Sequence, residues 1–149
     1  NVIKLDITNE NQCKRVMDKF SPDIIINCAA LTNVDLCEKD HQLARMINVV
    51  GVENLVKSSD NNTRIIHIST DYVFSGNEGP YKENDPTHPI SYYGKSKLEG
   101  ENVLRGSLHP WCIIRGSVLY GDPVNSKSNF FSTNSFIVMQ SLYLSPPWT

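Results

Sequence analysis

Three short apolar runs constrain this chain more than any other feature. They are Ile24-Ile25-Ile26-Asn27-Cys28, Arg64-Ile65-Ile66-His67-Ile68-Ser69 and Trp111-Cys112-Ile113-Ile114-Arg115. The first two run through apolar residues without strict alternation, the pattern of strands buried on both faces. Helical spacing separates them. Cys13, Val16, Met17 and Phe20 make one apolar face, with Thr8 or Asn9 as cap and Ser21-Pro22-Asp23 as stop. After a loop through Asp40, Leu43, Met46, Ile47, Val50, Asn54 and Leu55 recur at helical spacing up to Asp60-Asn61-Asn62. Gly76 to Pro89, with three prolines, reads as a long loop, and Tyr92 to Leu104 as a helix. Val2-Ile3-Lys4-Leu5 reads as a further short strand and Phe136 to Leu144 as a short helix. Strands alternating with helices predict an α/β fold with right-handed crossovers and a helix-covered parallel sheet.

Ligands bind such sheets at the carboxyl ends of the strands. Asp6, Cys28-Ala29-Ala30 and Ser69-Thr70-Asp71 all fall at such ends. Tyr93 and Lys97 stand one turn apart at the start of a helix, so a phenol and an ammonium share one face. A nearby cation favours the phenolate, which predicts a lowered Tyr93 pKa and a proton donor for a carbonyl oxygen. The plain alternative is an exposed helix start with a solvated Lys97. Thr70 either meets a substrate carbonyl or bonds backbone, and Asp71 either orients a substrate hydroxyl or caps its loop. Asp6 either accepts from an adenine amino group or caps a helix. The small side chains at Ala29 and Ala30 either admit a flat or phosphorylated ligand or merely pack tightly. Asn48, inside a helix where Asn is a poor choice, either bonds across to another element or faces solvent.

Composition excludes more than it assigns. The 149 residues are 40% hydrophobic and 20% charged with net charge -2, so no broad basic surface argues for nucleic acid. Cys13, Cys28, Cys37 and Cys112 lack Cys-x-x-Cys spacing, which fits a reduced, cytoplasmic setting better than a disulfide framework. His41, His67, His88 and His109 lack metal-ligand spacing. No apolar run is long enough for a membrane span.

A wider set of segments completes the pattern. It comprises Pro22-Asp23-Ile24-Ile25-Ile26-Asn27-Cys28-Ala29-Ala30-Leu31-Thr32-Asn33-Val34-Asp35 and Ile47-Asn48-Val49-Val50-Gly51-Val52-Glu53-Asn54-Leu55. Ser69-Thr70-Asp71-Tyr72-Val73-Phe74 with Gly76, Tyr93-Gly94-Lys95-Ser96-Lys97-Leu98-Glu99-Gly100-Glu101 and Arg115-Gly116-Ser117-Val118-Leu119-Tyr120-Gly121 follow. In this order the chain resembles the extended short-chain dehydrogenase/reductase superfamily, in particular its reductases of keto-sugar nucleotides. The resemblance implies a Rossmann-like doubly wound sheet and reduction of a 4-keto sugar nucleotide with NADPH or NADH.

Residue by residue, it makes Thr70, Asp71, Tyr93 and Lys97 catalytic. It puts Asp6, Ile7, Cys28, Ala29, Ala30, Ser69, Tyr93 and Lys97 at the cofactor, and Thr32, Val34, Thr70, Asp71 and Tyr93 at the substrate. It also brings Mg2+, for which no ligand set appears, and a homodimer. Two other readings share the motifs. One is a sugar-nucleotide epimerase or dehydratase, although Tyr72 stands where a dehydratase usually carries a second acid after the Thr. The other is a non-catalytic regulatory subunit such as that of methionine adenosyltransferase.

The chain opens without Met and inside an element, which reads as a fragment. The expected Rossmann-like sheet is incomplete. Its N-terminal βαβ unit with the Gly-rich phosphate loop is missing, and the strand at Ile24 exposes an apolar edge. Residues 1–121 then form a partial dinucleotide-binding domain, and 122–149 the start of a truncated or irregular substrate-binding region. Val118 stands where many family members carry Trp against the sugar. Such a piece alone is expected to bind cofactor weakly, to aggregate and to be inactive.

Overall fold

In the computed structural model, the described residues are 3–117 and, as backbone alone, 139–144. Helix α1 (Glu10–Phe20) starts at Asn9, whose side-chain oxygen accepts from the Gln12 amide, and ends at Ser21 in the left-handed region. Its inner face is Cys13 and Met17; Phe20 is 54% exposed and lies under the Lys19 ammonium instead of in the core. Strand β1 (Ile24–Asn27) follows. The stretch expected to be loop up to Asp40 contains a helix, α2 (Val34–Lys39), because Asn33 caps it and Cys37 buries its inner side.

Helix α3 (His41–Arg45) runs through a π-helical turn at Met46–Val50 into α4 (Gly51–Ser58). Strand β2 (Arg64–Thr70) ends in a 3-10 turn, Asp71–Val73. Helix α5 (Tyr92–Arg105), capped by the Ser91 hydroxyl, leads to β3 (Trp111–Gly116) and β4 (Met139–Leu144).

The sheet order is β1-β2-β3-β4. β1, β2 and β3 are parallel, with Ile25 opposite Ile65 and His67 opposite Ile113. β4 runs antiparallel to β3, with Cys112 opposite Leu144. This overturns the helix expected at 136–144 over its described part. A short apolar run is ambiguous between helix and strand, and pairing along β3 decides it. The strand expected at Val2–Leu5 is also absent: residues 3–5 are irregular, although Leu5 packs against Cys13 and Met17. Residues 118–138, including Val118, Tyr120-Gly121 and the polar stretch 126–135, lie outside the described residues.

Ile25, Ile65, Trp111 and Ile113 meet Val52 and Leu104 in the main core, so α4 and α5 cover one face of the sheet. The expectation of strands buried on both faces fails at β1. Ile24 is 51% and Ile26 62% exposed, because no described helix lies over their face. Among the described residues no helix is long and apolar enough to cross a membrane. All four cysteines are unpaired, and Cys13, Cys37 and Cys112 are buried.

Gly94 sets how closely α5 approaches the turn after β2, because a Cβ there would run into the Tyr72 carbonyl oxygen. Helix propensity alone favours Ala over Gly by about 1 kcal/mol. The obstacle is rigid backbone, so the clash wins. Gly94→Ala is expected to destabilise by about 1–3 kcal/mol, read as a lowered urea midpoint.

Candidate functional site

Thr70, Asp71, Tyr93 and Lys97 come together where β2 ends and α5 begins. Thr70 Oγ1 accepts from the Tyr72 amide at 3.2 Å and donates to Asp71 Oδ1 at 3.3 Å. The Tyr93 phenol lies beside the same hydroxyl, which favours its ionised form. The backbone-bonding role and the site-facing role of Thr70 are therefore held by one side chain. The Tyr93 ring meets Tyr72 edge-on at 5.6 Å. Asp71, Tyr72, Phe74, Ser75, Tyr81 and Ser91 line a cavity of about 340 Å³ beside this group. Phe74 and Tyr81 stack at 4.4 Å, so part of its wall is a rigid aromatic pair.

Lys97 is not solvated. It is 1% exposed, and its Nζ donates to the Ile68 carbonyl at 2.7 Å and lies 3.4 Å from His67 Nε2. Burial lowers its pKa to about 8, against the raising pull of Glu101 and Cys28. This changes the expected electrostatics of Tyr93. Burial pushes the phenol above its usual value, the neighbouring Thr70 hydroxyl opposing only in part. The Lys97 amine is directed at the end of β2 and does not lower it. Tyr93 therefore keeps its proton at neutral pH.

The buried amine makes stability depend on pH. The Lys97 pKa in the folded state is lower than in the unfolded chain, so the unfolded chain binds more protons between about pH 8 and 10.5. The burial cost is present in full below pH 8 and disappears as pH rises to 10.5. Wild type relative to Lys97→Met is expected to gain about 3 kcal/mol from pH 7 to 10.5. Urea denaturation of both proteins at each pH checks this. The comparison cancels the opposite trend from Cys13, Cys37 and Cys112, whose thiol pKa values burial raises.

The neighbouring strand end is shaped by two asparagines. Asn27 Oδ1 accepts from the Ala29 amide at 3.1 Å. Asn48 grips Leu31 from both sides, accepting from its amide at 2.8 Å and donating to its carbonyl at 3.1 Å. It also donates to Ser96 Oγ at 2.9 Å, so it bonds across to α5 and the β1 loop and does not face solvent. Cys28, Ala29 and Thr32 stay exposed on this shelf, while Val34 packs against Tyr93 and Cys37.

Asp6 and Ile7 are held elsewhere, against α1 and α4. Asp6 is exposed; its Oδ1 accepts from the Thr8 hydroxyl and amide, which lower its pKa, and Asn9 takes the capping role. The Ile7 carbonyl accepts from Asn54 at 2.8 Å. Ser69 faces away from the cavity group, donating to Glu101 at 2.6 Å. Among the described residues no group of three His, Cys, Asp or Glu side chains is placed to hold a metal ion.

Two buried groups were not singled out from sequence. One is Glu101, which binds Ser69, Arg105 and Arg115. The other is the pair Asn27 and His67, 3.0 Å apart. The available signal was a His inside an otherwise apolar strand, two residues before Ser69.

The chain is similar to several known proteins. The chain is 43% identical to a dTDP-4-dehydrorhamnose reductase of Aggregatibacter actinomycetemcomitans over 132 residues, 87% of this chain and 44% of that protein. It is 38% identical to the methionine adenosyltransferase 2 subunit beta of Xenopus laevis over 119 residues, 79% of this chain and 36% of that one. The crystal structure of a Bacillus anthracis dTDP-4-dehydrorhamnose reductase in complex with NADP superimposes with a TM-score of 0.75 at 43% identity. That match covers 81% of this chain and 44% of that structure. The chain thus spans less than half the length of these relatives. The family model described as the RmlD substrate binding domain matches residues 1–142, which takes in the strand ends, the Thr70–Asp71 turn and the Tyr93–Lys97 helix, and the chain belongs to that family.

Proposed function

We propose that this chain carries the catalytic centre of an NAD(P)H-dependent reductase of a 4-keto sugar nucleotide, converting dTDP-4-dehydro-L-rhamnose to dTDP-L-rhamnose. Residues 1–121 are then part of the dinucleotide-binding domain and 122–149 the start of the substrate-binding region. The observation that carries the reading is the meeting of the Thr70 hydroxyl, the protonated Tyr93 phenol and the buried Lys97 amine at one strand end, beside a cavity. A carbonyl reduced at carbon needs a proton at oxygen and hydrogen-bond donors for the charge that develops there. Tyr93 gives the proton, and the Thr70 hydroxyl turns to the same oxygen. Asp71 holds a sugar hydroxyl at the cavity mouth, and Ser69 stands behind Thr70 on the cofactor side. The shelf at Cys28–Ala30 would hold a reduced nicotinamide, which would supply the hydride to C4. Lys97 holds a cofactor hydroxyl at the end of β2, Asp6 and Ile7 meet the adenine, and Thr32 and Val34 border the substrate.

The likeness to the Xenopus laevis subunit supports a second reading, a regulatory subunit that binds cofactor and a protein partner without turnover. The test uses full-length protein, NADPH or NADH, and dTDP-4-dehydro-L-rhamnose. Nucleotide oxidation that depends on the sugar supports the reductase. Cofactor binding with no oxidation of either nucleotide rejects it in favour of the regulatory reading.

A further inference from the structure

We propose that His67 is a positioning residue for Lys97: Asn27 holds its imidazole in one tautomer, whose Nε2–H is handed to the Lys97 amine. The argument follows the donors along one chain of contacts. The Ala29 amide donates to Asn27 Oδ1, which fixes which end of the Asn27 amide is oxygen. The Asn27 Nδ2 end therefore faces His67 Nδ1 at 3.0 Å, and an NH2 group only donates. His67 Nδ1 must accept, so the neutral ring carries its proton on Nε2. That nitrogen lies 3.4 Å from Lys97 Nζ. The ring is wholly buried, and burial holds its pKa well below the usual value, so it stays neutral.

An ammonium at Lys97 has three N–H donors and no lone pair. It satisfies the Ile68 carbonyl but confronts a second donor at His67. The neutral amine satisfies both. One N–H goes to Ile68, the lone pair accepts a hydrogen bond from His67 Nε2–H, and one N–H remains for the cofactor groove. Among the charged and titratable groups around Lys97, Glu101 on α5 and Cys28 at the end of β1 favour the ammonium. His67 on β2 is the group that opposes it. The consequence for catalysis rests on the reductase reading, but the proton arrangement does not.

The test needs no substrate and uses full-length protein. Imidazole 15N spectra assign the tautomer, and 13Cε spectra of labelled lysine follow the Lys97 titration. The wild type is expected to show the Nε2–H tautomer at neutral pH. In His67→Gln the side chain can turn an oxygen to Lys97. In Asn27→Asp the carboxylate accepts a hydrogen bond from Nδ1–H, so the neutral ring carries its proton there and leaves Nε2 as acceptor. Both are expected to raise the proton affinity of Lys97 by roughly tenfold or more. A merely structural role would lower stability without moving that midpoint. An Nδ1–H tautomer or an imidazolium in the wild type overturns the proposal. So does an unmoved Lys97 midpoint in a folded His67→Gln. If that variant does not fold, the wild-type tautomer and Asn27→Asp decide. Absence of sugar-dependent turnover would sink the reductase reading and leave these spectra unchanged.

Discussion

Replacing Tyr93 by Phe is expected to lower keto-sugar-nucleotide reduction by roughly 100- to 10,000-fold, the range of a lost general acid. The loss should appear in kcat and in kcat/KM alike, because the phenolic proton is needed at the transition state and not for binding. The fold should survive the change. The ring keeps its edge-on contact with Tyr72, and losing one hydroxyl contact costs only about 1 kcal/mol. Burial above the usual phenol pKa keeps wild-type Tyr93 protonated through neutral pH, which is the state an acid needs. Steady-state kinetics of both proteins, with urea unfolding as control, tests this. A folded variant that retains turnover within a few-fold removes Tyr93 as the proton donor.

Glu101→Gln is expected to be the most damaging single change to stability, at about 3–5 kcal/mol. Glu101 is fully buried on α5 and binds three elements at once. Its Oε1 accepts from Ser69 at 2.6 Å and from Arg115 Nε at 2.9 Å. Its Oε2 accepts from Arg115 Nη2 at 2.6 Å and from Arg105 at 3.2 Å. The two-pronged Arg115 contact matches a guanidinium to a carboxylate, and an amide cannot reproduce it. Gln would bring an NH2 against donors and leave Arg115 buried without its counter-charge. Arg115 also donates to the Glu83 carbonyl at 3.3 Å and lies over Phe74, so the damage reaches the long loop and the cavity wall.

The double variant Glu101→Leu with Arg115→Met should recover much of the stability, since removing both charges also removes their desolvation cost. Urea unfolding of the three proteins measures this. A Glu101→Gln cost under about 1 kcal/mol would show that water or rearrangement already screens the site.

The order of strands and helices was legible because apolar runs and helical spacing are local signals. Asn9 and the Ser21-Pro22 stop could be read the same way, since caps act within one turn. The convergence of Thr70, Asp71, Tyr93 and Lys97 could be read because strand ends and helix starts of a parallel sheet meet in space. What failed were segments whose state depends on a distant partner. Residues 139–144 become a strand through pairing along β3, and Ile24 and Ile26 stay open because no described helix covers their face.

The sequence by itself determined the α/β order, the strand-end clustering of polar groups and the family. Only the tertiary structure decided the electrostatics. A Lys whose plain alternative was a solvated helix start is buried on the Ile68 carbonyl, and a phenol expected to be acidified has its pKa raised. His67, Asn27 and Glu101 took on meaning only through neighbours far along the chain. Protonation depends on how much water is excluded and on which donors remain facing one another, and neither is encoded in any one segment.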